Sequence, residues 1–226
     1  MNINNKSHIS FTSRNKTIRL ADDIARIPNR WIPRVSSSKY EGLKSSQKNE
    51  KLIFAMEADI SDLRLLQKLK SIFIGNNFIK NIKNVVEPIK RFKIGNCGES
   101  VDLAAIAARV NGIKNISIAS IRTPTGIPFD HAVLLVNDKK PYIIDGWLGF
   151  ADYVPNAILR YKKEFRNHFD FEKLGTEEMF VVPYKSVKIF NGFLNKEFTK
   201  KEINEIKKLY PEIVLKWQNR YKIKNN

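Results

Sequence analysis

The spacing of apolar residues along the chain predicts helices first and strands after them. From Lys51 onward, apolar residues recur every three or four positions with charged residues between them, which indicates an amphipathic helix. A second helical stripe covers residues 77–86 and should end near Pro88, because the residue before a proline disfavours helical backbone. Residues 98–111 predict a buried, alanine-rich helix, and Gly112 suits the position that follows a helix end.

Short apolar segments separated by turn residues follow this buried helix. The predicted strands cover residues 116–121, 132–136, 142–144 and 179–184. Turn signals lie at 123–126 and 137–140, and the second is short enough for a hairpin. Between Trp147 and the last strand we expect a loop and then a helix. A buried helix followed by antiparallel strands predicts an α+β domain.

The two ends of the chain differ in character. Residues 1–48 are rich in Ser, Asn, Lys and Arg, which predicts a mobile polar leader suited to export or chaperone binding, although residues 24–33 are apolar enough to dock on the body. Residues 49–226 are expected to form a single domain. Near its end, Thr199 and Glu202 have the spacing of a capping box, and Pro211 is suited to begin a further helix.

Charge separates a neutral centre from basic flanks. Residues 95–150 hold five Lys/Arg and five Asp/Glu, so the flanks carry the whole formal net charge of +17. Basic flanks favour an acidic partner or an anionic membrane surface, although lysine in solvated positions gives the same composition. Nucleic acid is another class of partner that basic flanks suit, and the one that we expect least. The basic residues are scattered rather than clustered, which favours the explanation by lysine in solvated positions.

The composition also limits where the protein is made and what it binds. A single cysteine, Cys97, excludes an internal disulfide framework, and the N-terminus lacks the apolar core of a secretory signal. We therefore expect synthesis in a reducing cytoplasm and, for any export, a specialised route. The sequence shows no metal-ligand spacing and no glycine-rich phosphate loop, so we expect no cofactor.

Three residues in the neutral centre predict nucleophilic catalysis. Cys97 lies just before the buried helix, where free N–H groups and the positive end of the dipole stabilise a thiolate. His131 opens one predicted strand and Asp145 ends the next, so a hairpin would bring them level. Singly, each has an ordinary structural explanation, such as a buried thiol or a core histidine. Together they predict a nucleophile, a base and an orienting acid.

Neighbouring residues suit the walls of a cleft. Gly98 leaves room beside the nucleophile for a tight helix start and close substrate approach. The backbone N–H of Cys97 is the natural first donor to an oxyanion, and the side chain of Asn96 is the candidate second donor. Trp147 would form one wall of the cleft and shield it from water.

These segments also resemble a known family. GNCGE at 95–99, DHAVLLV at 130–136 and IIDGW at 143–147 resemble papain-like cysteine domains of bacterial toxins and secreted effectors. That family includes the deamidase domain of Pasteurella multocida toxin and related secreted effector glutamine deamidases. The resemblance covers about residues 92–150, and the family usually has proline where this chain has Gly146.

The resemblance implies a papain-like fold in which the cysteine-bearing helix packs on an antiparallel sheet. It also implies a Cys97-His131-Asp145 triad that converts a glutamine of a host protein to glutamate, after secretion through a specialised system into the host cytoplasm. A thiol protease or an acyltransferase with the same triad is the alternative, because these enzymes share its chemistry. A further alternative is a basic binding module without enzymatic activity, in which the cysteine is structural.

Overall fold

The computed structural model describes residues 16–32, 34–35, 47–122, 131–165, 180–183, 194 and 196–215. The helices are α1 (Lys16–Ala25), α2 (Ile27–Trp31), α3 (Gln47–Ile74), α4 (Phe78–Phe92), α5 (Cys97–Val110), α6 (Val154–Phe165) and α7 (Lys200–Leu209), and a 3-10 turn covers Pro211–Ile213. The strands are β1 (Arg34–Val35), β2 (Ile94–Gly95), β3 (Ile116–Arg122), β4 (His131–Val136), β5 (Tyr142–Asp145), β6 (Phe150–Tyr153) and β7 (Phe180–Pro183).

An antiparallel sheet lies between helices on both of its faces. Its strand order is β6-β5-β4-β3-β7. Side chains alternate between the faces of a strand, so Leu134 and Val136 pack in the core that contains α5, whereas Val133 and Leu135 pack in the core that contains α6. This double burial explains the continuous apolar run of β4. The α+β class with an antiparallel sheet is confirmed.

Helix α4 corrects one boundary prediction. We expected it to end near Pro88, but it continues to Phe92 with Pro88 buried inside it. A proline removes one backbone hydrogen bond and disfavours the preceding turn. Here that cost is offset by burial of Val86 and Ile89 on either side of Pro88. Lys93 follows the helix as its C-cap and has a left-handed backbone with φ 54°.

Part of the predicted leader belongs to the folded body. Helices α1 and α2 place Ile18, Ile24 and Ile27 in the main core. Residues 16–32 therefore differ from the mobile leader that the composition predicted. The leader is polar on average, but its apolar residues have helical spacing, and burial depends on that spacing rather than on the average. Docking of the apolar part is confirmed for residues 24–32. Residues 1–15, 33 and 36–46 lie outside the described residues.

Strand β6 occupies a place where the sequence predicted a loop. Gly149, with φ +72°, closes the turn between β5 and β6, and such a backbone favours glycine. The carboxylate of Asp22 in α1 accepts a hydrogen bond from the backbone N–H of Ala151 at 3.1 Å. The strand is therefore held in part by a helix distant in sequence.

The C-terminal predictions are met in part. Thr199 Oγ1 accepts from the backbone N–H of Glu202 at 3.2 Å, and Glu202 Oε2 accepts from that of Thr199 at 2.8 Å, which confirms the capping box. Pro211 begins a 3-10 turn of three residues, and residues 216–226 lie outside the described part. No helix in the described ranges is long and apolar enough to cross a membrane.

Gly146 lies at a close contact between the sheet and the helices. A Cβ built there would be 2.6 Å from the carbonyl oxygen of Ser100 in α5 and 2.9 Å from Cγ of Pro28 in α2. Because backbone cannot move aside cheaply, we expect Gly146→Ala to lower the free energy of unfolding by about 1–3 kcal/mol in urea denaturation. Gly75→Ala is the control, since a Cβ there meets nothing within 4 Å and adds only the strain of a positive φ. Wild-type stability in Gly146→Ala would contradict this prediction.

Candidate active site

The sequence around Cys97 builds a tightly capped helix start. Asn96 is the N-cap of α5, and its Oδ1 accepts from the backbone N–H of Gly98 at 2.9 Å. Glu99 Oε2 accepts from the backbone N–H of Asn96 at 2.9 Å, which closes a capping box. Cys97 is the first residue of the helix and is partly exposed. Its backbone N–H is thus one of the first four of the helix, which point outward from its N-terminus.

The β4–β5 hairpin brings His131 and Asp145 together. Leu134 pairs with Ile144, and continuing this register places Asp145 opposite Val133, two residues from the level that the sequence analysis expected. His131 and Val133 share one face of the strand, so His131 and Asp145 are diagonal neighbours. His131 Nε2 lies 2.6 Å from Asp145 Oδ2, and both side chains are buried.

Asp145 accepts hydrogen bonds on both oxygens. Oδ2 accepts from the Tyr161 hydroxyl at 2.8 Å as well as from His131. Oδ1 accepts from the backbone N–H of Trp147 at 2.9 Å and of Leu148 at 2.8 Å. Four donors on a side chain with no exposed surface favour the ionised carboxylate.

The electrostatics of this network favour a charged pair. Burial alone lowers the pKa of His131, but the charge and hydrogen bond of Asp145, together with Cys97, outweigh it and raise the pKa to about 10. Burial raises the pKa of Asp145, whereas the charge of His131 and its hydrogen bond lead the effects that lower it below its usual value. An imidazolium beside a carboxylate is therefore the stable form at neutral pH.

His131 also links Cys97 to this pair. Its Nε2 is bonded to Asp145, so Nδ1 is the ring nitrogen left for Cys97. A hydrogen bond between the Cys97 and His131 side chains contributes to the raised pKa of His131. The three residues singled out in the sequence thus form one chain of contacts, Cys97 to His131 to Asp145. That order is the one a nucleophile, base and orienting acid require.

Two aromatic rings enclose the imidazole. The ring centroid of Trp147 lies 5.1 Å from that of His131, and the centroid of Tyr161 lies 5.6 Å away in an edge-to-face arrangement. Both aromatic side chains are buried. Sequence reasoning placed Trp147 here but missed Tyr161, which comes from α6. The sequence did offer one signal for Tyr161, namely that it is a tyrosine on a predicted helix. If such a tyrosine is buried, its hydroxyl needs a hydrogen-bond partner.

Arg64 of α3 is a second residue that sequence reasoning missed. Its Nη2 donates to Asn96 Oδ1 at 2.8 Å, and its Nε donates to Glu99 Oε1 at 2.8 Å. Two donors, Gly98 N–H and Arg64, therefore fix the oxygen end of the Asn96 carboxamide. The Nδ2 end is left to donate, and no acceptor among the described residues is bonded to it. An arginine between two leucines of a long helix gives no sequence signal of this role.

Within the described ranges, no group of three or more His, Cys, Asp and Glu side chains could hold a metal ion. No model of a known protein family, no curated protein and no solved structure matches the chain. The case for a function therefore depends on the geometry around Cys97 and on the short motifs that surround it.

Proposed function

We propose that this chain is a cysteine-dependent hydrolase that cleaves a carboxamide, with a papain-like arrangement of helix α5 on the sheet. The observation that carries the proposal is the buried His131–Asp145 pair at 2.6 Å, with the Cys97 side chain hydrogen-bonded to the same imidazole. A buried charged pair is weak evidence of a purely structural role, because replacing both partners by apolar residues is often neutral or stabilising, although breaking the pair by removing one partner is costly. Placed beside a partly exposed thiol at a helix start, it is well suited to catalysis.

The reaction follows from the positions of these groups. The Cys97 thiolate attacks the carbonyl carbon of the amide, and the Cys97 N–H and the Asn96 Nδ2 group donate to the resulting oxyanion. The C–N bond then breaks as the His131 imidazolium gives its proton to the departing ammonia. His131 next takes a proton from water, which attacks the thioester and releases the carboxylic acid and the Cys97 thiolate, so the thiolate and the imidazolium are restored. The sum is amide plus water to acid plus ammonia.

The proposed substrate is a glutamine side chain of a host protein. The support is the likeness of GNCGE, DHAVLLV and IIDGW to secreted effector deamidases, together with a site that fits amide hydrolysis. In this proposal the protein is exported through a specialised system and acts in the host cytoplasm. Its basic flanks would favour an acidic surface of the substrate or an anionic membrane close to it.

Thiol protease activity is the second candidate, because the same contacts at Cys97 support it. The two activities differ in which amide enters the cleft, a side-chain carboxamide or a peptide bond. In an acyltransferase, an acceptor other than water would attack the thioester.

The test compares wild-type protein with Cys97→Ala in a eukaryotic cell lysate, with peptides mapped by mass spectrometry. We expect Gln-to-Glu conversions with wild type and none with the variant, because alanine has no nucleophile. New peptide termini would instead identify a protease, and new acyl groups an acyltransferase. Identical peptide maps from two folded proteins would favour the basic binding module. That module would bind anionic partners equally well in both forms, more weakly as salt increases.

A further inference from the structure

The start of α5 contains a conflict of charges. Glu99 is buried, with 5% of its surface exposed, and its carboxylate closes the capping box that fixes Asn96 and Cys97. A carboxylate in the first turn stabilises the helix through its dipole. The same negative charge, two residues from the nucleophile, opposes formation of a thiolate. Glu99 therefore stabilises the start of the helix but opposes formation of the Cys97 thiolate.

Arg64 lies at the position that resolves this conflict. Its Nε and Nη2 donate to the two oxygens of Glu99 at 2.8 and 3.3 Å, and Nη2 also donates to Asn96 Oδ1. Such a fork of N–H donors matches a carboxylate closely. The charge of Cys97 is one of the influences that hold the pKa of Arg64 up against burial, after the hydrogen bond and charge of Glu99.

The remaining charged groups around the thiol do not supply this compensation. His131 approaches from β4 and acts on the thiol itself, with its bonds made to Asp145 and Cys97, whereas the Glu99 carboxylate is bound by Arg64. Asp102, one turn further along α5, adds a second negative charge within reach of Arg64. In the described part of the chain, Arg64 is thus the cation that faces the capped start of α5 from α3.

We propose that Arg64 is a positioning residue of the Cys97 site, which neutralises the buried carboxylate of Glu99 and holds the Asn96 carboxamide so that a thiolate can form in a capped helix. This inference rests on the proposed function, since it concerns the same nucleophile. It predicts that loss of Arg64 slows Cys97 because the Glu99 charge is left uncompensated, and that removing the Glu99 charge as well restores the rate.

The test measures the rate at which iodoacetamide alkylates Cys97, as a function of pH, in full-length folded protein. We expect Arg64→Met to slow alkylation about tenfold at neutral pH, because one nearby charge is lost at a half-exposed site. Glu99→Gln alone should keep the wild-type rate or exceed it. The double variant Arg64→Met/Glu99→Gln should recover to within about threefold of wild type, because the opposing charge is gone as well. Arg64→Lys, which keeps the charge, should stay close to wild type.

Arg26→Met is the matched control. Arg26 pairs with Asp22 in α1 at 2.6 Å, with side-chain exposures of 57% and 12%, against 51% and 6% for Arg64 and Glu99. The Arg26→Met substitution removes the same charge from a similar ion pair, and we expect the alkylation rate of Cys97 to stay unchanged. Circular dichroism and urea denaturation show that each variant is folded.

The outcomes separate the two proposals. If wild-type Cys97 reacts no faster than a free cysteine peptide, both the activated thiolate and the role of Arg64 are overturned. If wild type is fast and folded Arg64→Met is equally fast, the role of Arg64 alone is overturned. A double variant as slow as Arg64→Met would also overturn charge compensation. Should Arg64→Met fail to fold, a slow rate in either Arg64→Lys or the double variant would overturn it.

Discussion

Replacing His131 by glutamine is expected to slow the alkylation of Cys97 by iodoacetamide about tenfold at neutral pH. The pKa of about 10 keeps wild-type His131 charged across the neutral range, so an imidazolium stabilises the thiolate there. Glutamine carries no charge but retains an N–H donor for the buried carboxylate of Asp145, which keeps the site folded. Turnover of the amide substrate should fall further, by about a thousandfold, since the proton donor and acceptor are both lost.

The pH dependence of alkylation gives a second readout of the same change. The wild-type rate should exceed that of His131→Gln at neutral pH, and this advantage should be lost as pH rises through about 10, where His131 loses its charge. The His131→Gln rate should increase with pH like that of a free cysteine peptide. If the variant keeps the rate and the pH profile of wild type, His131 does not activate Cys97.

His131 should also make the stability of the protein dependent on pH. Its pKa is raised from 6.5 to about 10 on folding, so the folded state binds this proton more tightly than the unfolded chain. The resulting stabilisation is fully present below pH 6.5 and is lost as pH rises through about 10. Urea denaturation of wild type and of His131→Gln, each at neutral pH and near pH 10, measures this stabilisation. Between these two pH values, the free energy of unfolding should fall more for wild type than for the variant. Titration of the lysines affects both proteins, so the difference between them measures His131.

The contact between His131 and Asp145, with Cys97 beside it, could be predicted from the sequence because the three residues lie at element boundaries that local patterns reveal. The N-cap sequence before an alanine-rich helix places Cys97, and the turn residues between two apolar runs place His131 and Asp145 on one hairpin. Tyr161 and Arg64 escaped prediction because they reach the site from α6 and α3. Contacts between elements far apart in the chain leave no periodic signal in one sequence.

The fold predictions failed where tertiary packing outweighed local preference. Pro88 should have ended α4, yet packing of the flanking apolar residues keeps the helix intact. Polar composition predicted a mobile leader, yet α1 buries its apolar stripe, and its Asp22 bonds to β6. In both cases the deciding energy comes from surfaces that meet only after folding.

Asp145→Asn is expected to lower turnover about a thousandfold or more, with the protein still folded. The amide can keep its oxygen toward the backbone N–H groups of Trp147 and Leu148, where Asp145 Oδ1 now accepts. Its NH2 group then faces His131, and only an unprotonated Nε2 can accept from it. The proton must move to Nδ1, the nitrogen that faces Cys97, so the imidazole can no longer accept the thiol proton. The pKa of His131 should fall as well, because burial lowers it and the charge that outweighed burial is gone.

Tyr161→Phe is the matched control for this substitution. It removes one of the four hydrogen bonds to Asp145 and keeps the carboxylate charge and the aromatic ring beside His131. We expect it to cost about 1 kcal/mol in urea denaturation, against about 3 kcal/mol for Asp145→Asn, which breaks a buried charged pair. Its turnover should fall less than about tenfold, because the histidine keeps its protonation state. If the turnover of Asp145→Asn also falls less than about tenfold, the carboxylate only stabilises the hairpin. A much larger fall in turnover for Asp145→Asn than for Tyr161→Phe would show that the carboxylate orients the base.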